Sequence, residues 1–310
     1  MVSPIALFAY NRPEKVKFAI ESLAKNDLAE VSDLYIFVDG PKSSTDIQLT
    51  QQVVETVHTV NGFKSINLKI SERNLGLARS IRRCIDFILN FAPTIIVIED
   101  DLILAQNFLN YVNEGLDRFE FDNRVASIQG YQYPISPPLQ RAVALRGADC
   151  WGWGTWKNRW KSSIFDANVL HQQIRTQNLQ YEFDLFGAMP YTKMLQDQME
   201  GNIDSWAICW HASMFIRGSF SIYPAQSLVI NNGNDGMGTH GNQSRMFDTK
   251  LGSWNVEETW PEPENNIEYQ IQMSNYFRFH LQNSKPNIPT MVKHYLKKYL
   301  RLNKFIKKYY

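Results

Sequence analysis

Through the first 130 residues the apolar pattern switches between two periods. Short runs at 5–9, 34–38, 66–70, 94–98 and 125–128 alternate with stretches whose apolar residues recur at helical spacing. The first run, Ile5-Ala6-Leu7-Phe8-Ala9, leads to Pro13, which suits a first helical turn, and Val16, Ala19, Ile20 and Leu23 follow at that spacing. Ser44-Thr45-Asp46 can cap the next helix, and Leu77, Ile81, Ile85 and Ile88 mark a third. Strand and helix alternating with short connections predict right-handed crossovers and a parallel sheet. The run at 94–98 is apolar throughout, as a strand covered on both faces requires. Beyond Gln132 the periodicity weakens. Helices are expected at 166–180, 191–200 and 206–216, short strand pieces at 222–224 and 228–232, and a Gly/Asn/Ser-rich loop at 231–246.

Topology turns this pattern into a site. In a parallel sheet every carboxyl end points to one edge, and ligands bind there. The first four strands end in Asn11-Arg12, Asp39-Gly40, Arg73-Asn74 and Glu99-Asp100-Asp101. These clusters are far apart in sequence and should converge.

Composition changes the picture at two places. The chain is 44% apolar and 20% charged, an ordinary folded composition, with a net charge of +1. Residues 291–310 carry seven Lys or Arg and no acid, which leaves the rest of the chain acidic. That asymmetry suggests a localised anionic partner and excludes general nucleic-acid binding. Val292, Tyr295, Leu296, Tyr299 and Leu302 alternate with Lys293, Lys297, Lys298 and Arg301, so the tail reads as a basic amphipathic helix. Such a helix lies on an anionic membrane surface, or packs on the catalytic domain with a solvated basic face. Cys84, Cys150 and Cys209 are widely spaced with no CxxC pair, so neither a disulfide scaffold nor a zinc site is expected. A reducing, cytoplasmic setting is expected, with peripheral contact to the inner face of the cytoplasmic membrane.

Three adjacent carboxylates at 99–101 repel one another. The arrangement makes sense if a hard cation such as Mg²⁺ or Mn²⁺ neutralises them, or if they are solvated charges at a helix start. Asp204 precedes a helix beside aromatic residues and could serve as a general base or as the helix N-cap, with Glu200 a weaker candidate base. Trp151-Gly152-Trp153-Gly154-Thr155-Trp156 offers flat indole faces and close backbone approach. One indole, Trp153 or Trp206, is expected to line a sugar pocket while the others pack.

Ala9-Tyr10-Asn11-Arg12-Pro13, Val38-Asp39-Gly40, Arg73-Asn74-Leu75-Gly76, Ile98-Glu99-Asp100-Asp101 and the tryptophan run occur in an order and spacing that resembles glycosyltransferases of the GT-A fold. The sequence is most similar to the bacterial family 2-like enzymes and the N-acetylglucosaminyltransferase I type. The resemblance covers most of residues 4–245. It implies an α/β fold with a mostly parallel central sheet flanked by helices: a nucleotide-sugar-binding half at 1–130, an acceptor-binding half at 131–285 and the basic helix at 286–310. It implies transfer of a sugar from a nucleoside-diphosphate donor, UDP favoured, to a hydroxyl on a glycan or lipid-linked acceptor, with inversion, in cell-surface polysaccharide or glycan synthesis.

The resemblance also implies roles. Asp101 would be the direct metal ligand, with Glu99 and Asp100 completing the acidic motif and Asp100 reaching the ribose or the sugar. Asp39 would meet the base, and Asn11, Arg12, Arg73 and Asn74 would frame the nucleotide. Arg79 would join Arg12 and Arg73 in offsetting diphosphate charge. Asp149 and Trp153 would meet the donor sugar, Asp204 would activate the acceptor, and His240 in the Gly-rich loop would reach the metal or diphosphate. A sugar-nucleotide nucleotidylyltransferase shares such a sheet but needs a Gly-rich loop after the first strand, and 9–13 has no glycine. A non-catalytic carbohydrate-binding protein would use the aromatic pocket alone.

Overall fold

Four parallel strands, β1 (Ile5–Ala9), β2 (Asp33–Val38), β3 (Ser65–Ile70) and β4 (Thr94–Glu99), stand side by side in the order β3-β2-β1-β4. They are joined by α1 (Pro13–Ala24), α2 (Ser44–His58) and α3 (Leu77–Phe91). The computed structural model of the chain describes residues 2–233, 245–255 and 259–282. All five residues of β1 are buried, and alternate side chains serve different cores. Ile5, Leu7 and Ala9 join Val16, Leu23 and Val53, whereas Ala6 and Phe8 join Ile81, Ile85 and Ile88. The continuous apolar strand is thus explained by helices on both faces of the sheet.

The sheet then departs from the expected run of parallel strands. β5 (Leu102–Leu104) and α4 (Phe108–Arg118) follow the acidic cluster, then β6 (Val125–Gln129), β7 (Val143–Arg146) and β8 (Trp153–Trp156). β6 does not pair with β4. The tryptophan run supplies β8, which inserts antiparallel between them. A strand at this central position must cover both faces. Trp153 fills the core under α3, and Trp156 fills the opposite one. Gly154 lies between them because a Cβ there would stand 2.5 Å from Val112 of α4.

The remaining elements are α5 (Lys157–Lys161), α6 (Ala167–Thr176), α7 (Gln180–Phe183), α8 (Tyr191–Met199), α9 (Trp206–Ile216), β9 (Phe220–Tyr223), β10 (Val229–Asn231) and α10 (Ile267–Gln282). Among the described residues the sheet has eight strands, β3-β2-β1-β4-β8-β6-β9-β7, of which β8 and β7 run against the rest. This is a mostly parallel α/β sheet flanked by helices. α6, α8 and α9 form a side lobe around Leu170, Ile174, Leu195 and Phe215. The single helix expected at 166–180 is two, since Asn178 takes a positive φ between α6 and α7. One core runs from Ile5 to Phe277 and includes Tyr269 and Met273 of α10, a helix the sequence pattern left unassigned. The tail helix expected at 286–310, with its proposed membrane contact, lies outside the described residues. Among those described, no helix is long and apolar enough to cross a membrane. The three cysteines are free thiols.

Candidate functional site

The carboxyl ends of β1, β2, β3 and β4 meet at one edge, as their parallel register demands. Arg12 reaches from the end of β1 to the acidic cluster after β4. Its Nη1 donates to Asp101 Oδ2 at 3.1 Å, and its Nη2 donates to Asp100 Oδ1. Asp100 is buried, and burial raises its carboxyl pKa against the opposing pull of Arg12. Glu99 is raised for the same first reason, burial, with Asp101 and Asp100 adding repulsion. One guanidinium therefore bridges the carboxyl groups of Asp100 and Asp101, with that of Glu99 beside them.

The polar residues expected to frame a nucleotide divide into two groups. Asp39 and Asn74 hold the site's backbone. Asp39 accepts from the N–H groups of Gly40, Leu75 and Gly76 at 3.0 to 3.2 Å, which pins the loop after β3 to the end of β2. Asn74 donates to the Gly40 carbonyl at 2.7 Å and accepts from the Gly76 N–H. The two loops are so close that a Cβ on Gly40 would stand 2.4 Å from the Arg73 backbone. Asn11 donates to Asp46 at 2.8 Å, tying the β1 loop to the first turn of α2. Arg73 and Arg79, by contrast, are exposed beside this edge.

β5 carries the chain away from Asp101 and pairs with β10, so residues 231–233 return to the acidic cluster. The Asn232 N–H donates to the Asp101 carbonyl at 2.8 Å. Asp101 Oδ2 and Asn231 Oδ1 both crowd Gly233, at 2.3 and 3.0 Å from where a Cβ would stand. These donors are oxygens, and the second oxygen of Asp100 is buried without a hydrogen-bond partner among the described residues. Oxygen donors fit a hard cation that completes its shell with phosphate and water. Among the described residues no three His, Cys, Asp or Glu side chains stand close enough to hold a metal by themselves. His240 lies outside the described residues.

From Glu99 a chamber of about 310 Å³ opens between the sheet and helices α8, α9 and α10. Asp204 and Leu77 stand with Glu99 among its lining residues, and Asp149, Trp151 and Trp206 line it as well. Asp204 is exposed, and its Oδ2 lies 3.3 Å from the Cβ position of Gly76. The N-cap of α9 is Ser205, whose hydroxyl accepts from the Ile208 N–H, so Asp204 is not needed to cap the helix. Asp149 is held at both oxygens: it accepts from the Cys150 N–H at 2.8 Å and from the Tyr133 hydroxyl.

Trp153 is not at the site, contrary to the expectation for it. It is 0% exposed and stacks on Trp206 with centroids 5.7 Å apart, within a cluster that includes Trp160 and Trp210. The reason is β8: a central strand turns its side chains into the two cores, not toward the edge. Trp151, just before the strand, and Trp206, at the start of α9, are the indoles that reach the chamber.

Tyr133, Tyr191 and His211 also line the chamber, and sequence reasoning missed them. Tyr133 was within reach of the carboxyl-end rule, since it follows β6. His211 sits one helical turn and more beyond Trp206 and carries no motif. Its Nδ1 lies 2.8 Å from the Ala148 carbonyl, and the ring stacks on Phe183. Burial lowers its pKa below 6.5, so the folded chain holds it neutral. Unfolding takes up a proton once the pH falls below the ordinary imidazole range, near 6.5. Stability should therefore fall as pH drops through and below that point. Thermal melts from pH 7.5 to 5.5 should show this slope, and His211→Gln should flatten it; an unchanged slope would remove His211 from the explanation.

No family model matches the chain, and no curated protein matches it. Among solved structures, S. aureus TarS is similar over 45% of this chain and 24% of its own, at TM-score 0.33 and 15% identity. TarS 1-349 in complex with UDP is similar over 40% of this chain and 34% of its own, at TM-score 0.28 and 14% identity. A Bacillus anthracis protein described as a glucose-1-phosphate thymidylyltransferase, in complex with sucrose, is similar over 51% of this chain and 73% of its own, at TM-score 0.32 and 13% identity.

Proposed function

We propose that the chain transfers a sugar from a nucleoside-diphosphate donor, UDP favoured, to an acceptor hydroxyl, with inversion. The observation that carries this reading is the continuity of two features. The acidic cluster, bridged by Arg12, lies at the carboxyl edge of the parallel strands, and Glu99 connects it directly to an aromatic chamber with Asp204 in its lining. The nucleotide occupies the edge formed by the loops after β1, β2 and β3. Asp39 and Asn74 hold those loops in shape, and Arg73 and Arg79 supply positive charge toward the phosphates. Asp101 holds Mn²⁺ or Mg²⁺, which when bound offsets the charge of the departing diphosphate. Asp204 accepts the proton of the acceptor hydroxyl as that oxygen attacks the anomeric carbon. Bound acceptor covers it on the side of Trp206. Asp149, fixed by Tyr133, orients hydroxyls of the transferred sugar.

A second reading rests on Arg12. Its guanidinium already bridges Asp100 and Asp101, so the chain supplies a cation of its own at the cluster. In that reading Arg12 offsets the diphosphate and no metal is needed. Release of UDP from a panel of UDP-sugars, with Mn²⁺ or with EDTA, tests both. Mn²⁺-dependent release supports the metal reading, EDTA-resistant release lost in Arg12→Ala supports the second, and no release from any donor with any acceptor contradicts transfer from UDP.

A further inference from the structure

The chamber beyond Glu99 is more apolar than a pocket for an unmodified sugar has reason to be. Leu145, Phe183, Leu185, Met189, Met194 and Phe215 form much of its wall. Several of its polar groups are engaged within the fold. Asp149 is held by Tyr133 and the Cys150 N–H, Arg146 pairs with Glu182 at 3.3 Å, and His211 is tied to Ala148. Hydroxyls of a bare hexose pressed against that apolar wall would face carbon, and each unpaired buried hydroxyl opposes binding. A volume of about 310 Å³ is at the small end of ligand sites, room for one ring and its substituent.

We propose that this chamber receives an acceptor carrying a ring-sized apolar group, such as an aryl aglycone, lodged between Phe183 and the two methionines while its hydroxyl stays at the mouth near Asp204. The proposal rests on the transferase reading and names the substrate class of the same site. Position favours the acceptor over the donor as the source of the apolar group. The nucleotide edge lies at the ends of β1 to β4, whereas the chamber reaches away from it, under α8, α9 and α10. Met189 and Met194 suit an apolar guest, since unbranched thioether side chains adapt to a ring's outline and contact its edge well.

The test is calorimetric binding of phenyl and methyl β-D-glucopyranosides and the matching N-acetylglucosaminides, with UDP and Mn²⁺ at saturation. UDP affinity is measured first. The phenyl compounds should bind at least about tenfold more tightly than their methyl partners, the gain expected from burying one ring. Met194→Trp, which fills the chamber, should erase that difference while UDP affinity stays unchanged. Met189→Trp replaces it if the first variant does not fold. Equal affinity of phenyl and methyl compounds, with UDP bound normally, overturns the proposal and spares the transferase reading. So does a phenyl preference that survives both fillings, or phenyl compounds that UDP alone displaces. Failure to bind UDP or any other nucleoside diphosphate overturns the transferase reading and the proposal with it.

Discussion

Asp204→Asn should lower the rate of sugar transfer by about 10²- to 10⁴-fold while leaving donor affinity near the wild-type value. The substitution keeps the shape of the side chain and removes its ability to take a proton. Two observations make the result interpretable. Ser205, not Asp204, caps α9, so the helix does not depend on the carboxylate. The carboxylate is also exposed and makes no ion pair among the described residues, so its loss should leave stability unaltered. The check is a pair of measurements on one preparation: transfer rate at saturating donor, and donor Kd. A rate within a fewfold of wild type would assign the proton to another group, and Asp149 would be the next to change. A donor affinity that falls together with the rate would mean that Asp204 binds substrate and does not act as the base.

The second large effect concerns the fold. Trp153→Ala should cost about 3–5 kcal/mol of stability, the range for removing a buried large aromatic. Trp153 is wholly buried and packs against Trp160, Trp206 and Trp210, so truncation opens a hole beside three indoles. Trp153→Phe keeps a ring in place and should cost less. Denaturant melts of the two variants check the order. A loss under about 1 kcal/mol for the alanine variant would mean that the side chain is not packed as described. The residual activity of folded Trp153→Phe is also informative. It should retain donor affinity, because the residue lies in the core beneath the site and not in it.

The tryptophan run shows where sequence reasoning stopped. Indoles interleaved with glycines match a sugar-binding loop, and they equally match a central strand whose glycine lets a helix approach. The approach of Gly154 to Val112 distinguishes the two, and it joins residues more than forty positions apart. β1 to β4 were legible because each is a short apolar run followed at once by helical spacing, and their parallel order follows from short connections. The antiparallel entry of β8 was not legible, since pairing between 94–97 and 153–156 leaves no mark in either segment alone. α10 carries apolar residues at Tyr269, Met273 and Phe277, a sound helical stripe, but the polar residues around it hid the period.

The site shows the same division. The carboxyl-end rule brought Arg12 and Asp101 together from 89 positions apart. The same rule, applied to identity alone, could not tell a residue that faces a ligand from one that holds the loop behind it. Asp39 is the example. Its position suits a nucleotide contact, yet its oxygens accept three backbone N–H groups and shape the neighbouring loop. Tyr133 follows β6, two strands further along the same sheet. His211 belongs to a helix that passes behind the chamber, and only packing reveals it.

The central claim is that the acidic edge is a donor site. Calorimetric titration of the chain with UDP and with GDP, with and without Mn²⁺, beside Asp101→Ala, tests it most directly. One nucleotide, UDP, should bind in a Mn²⁺-dependent manner, and Asp101→Ala should abolish the metal-dependent part. Absence of binding by either nucleotide under both metal conditions would contradict it and leave an aromatic chamber for carbohydrate without a donor.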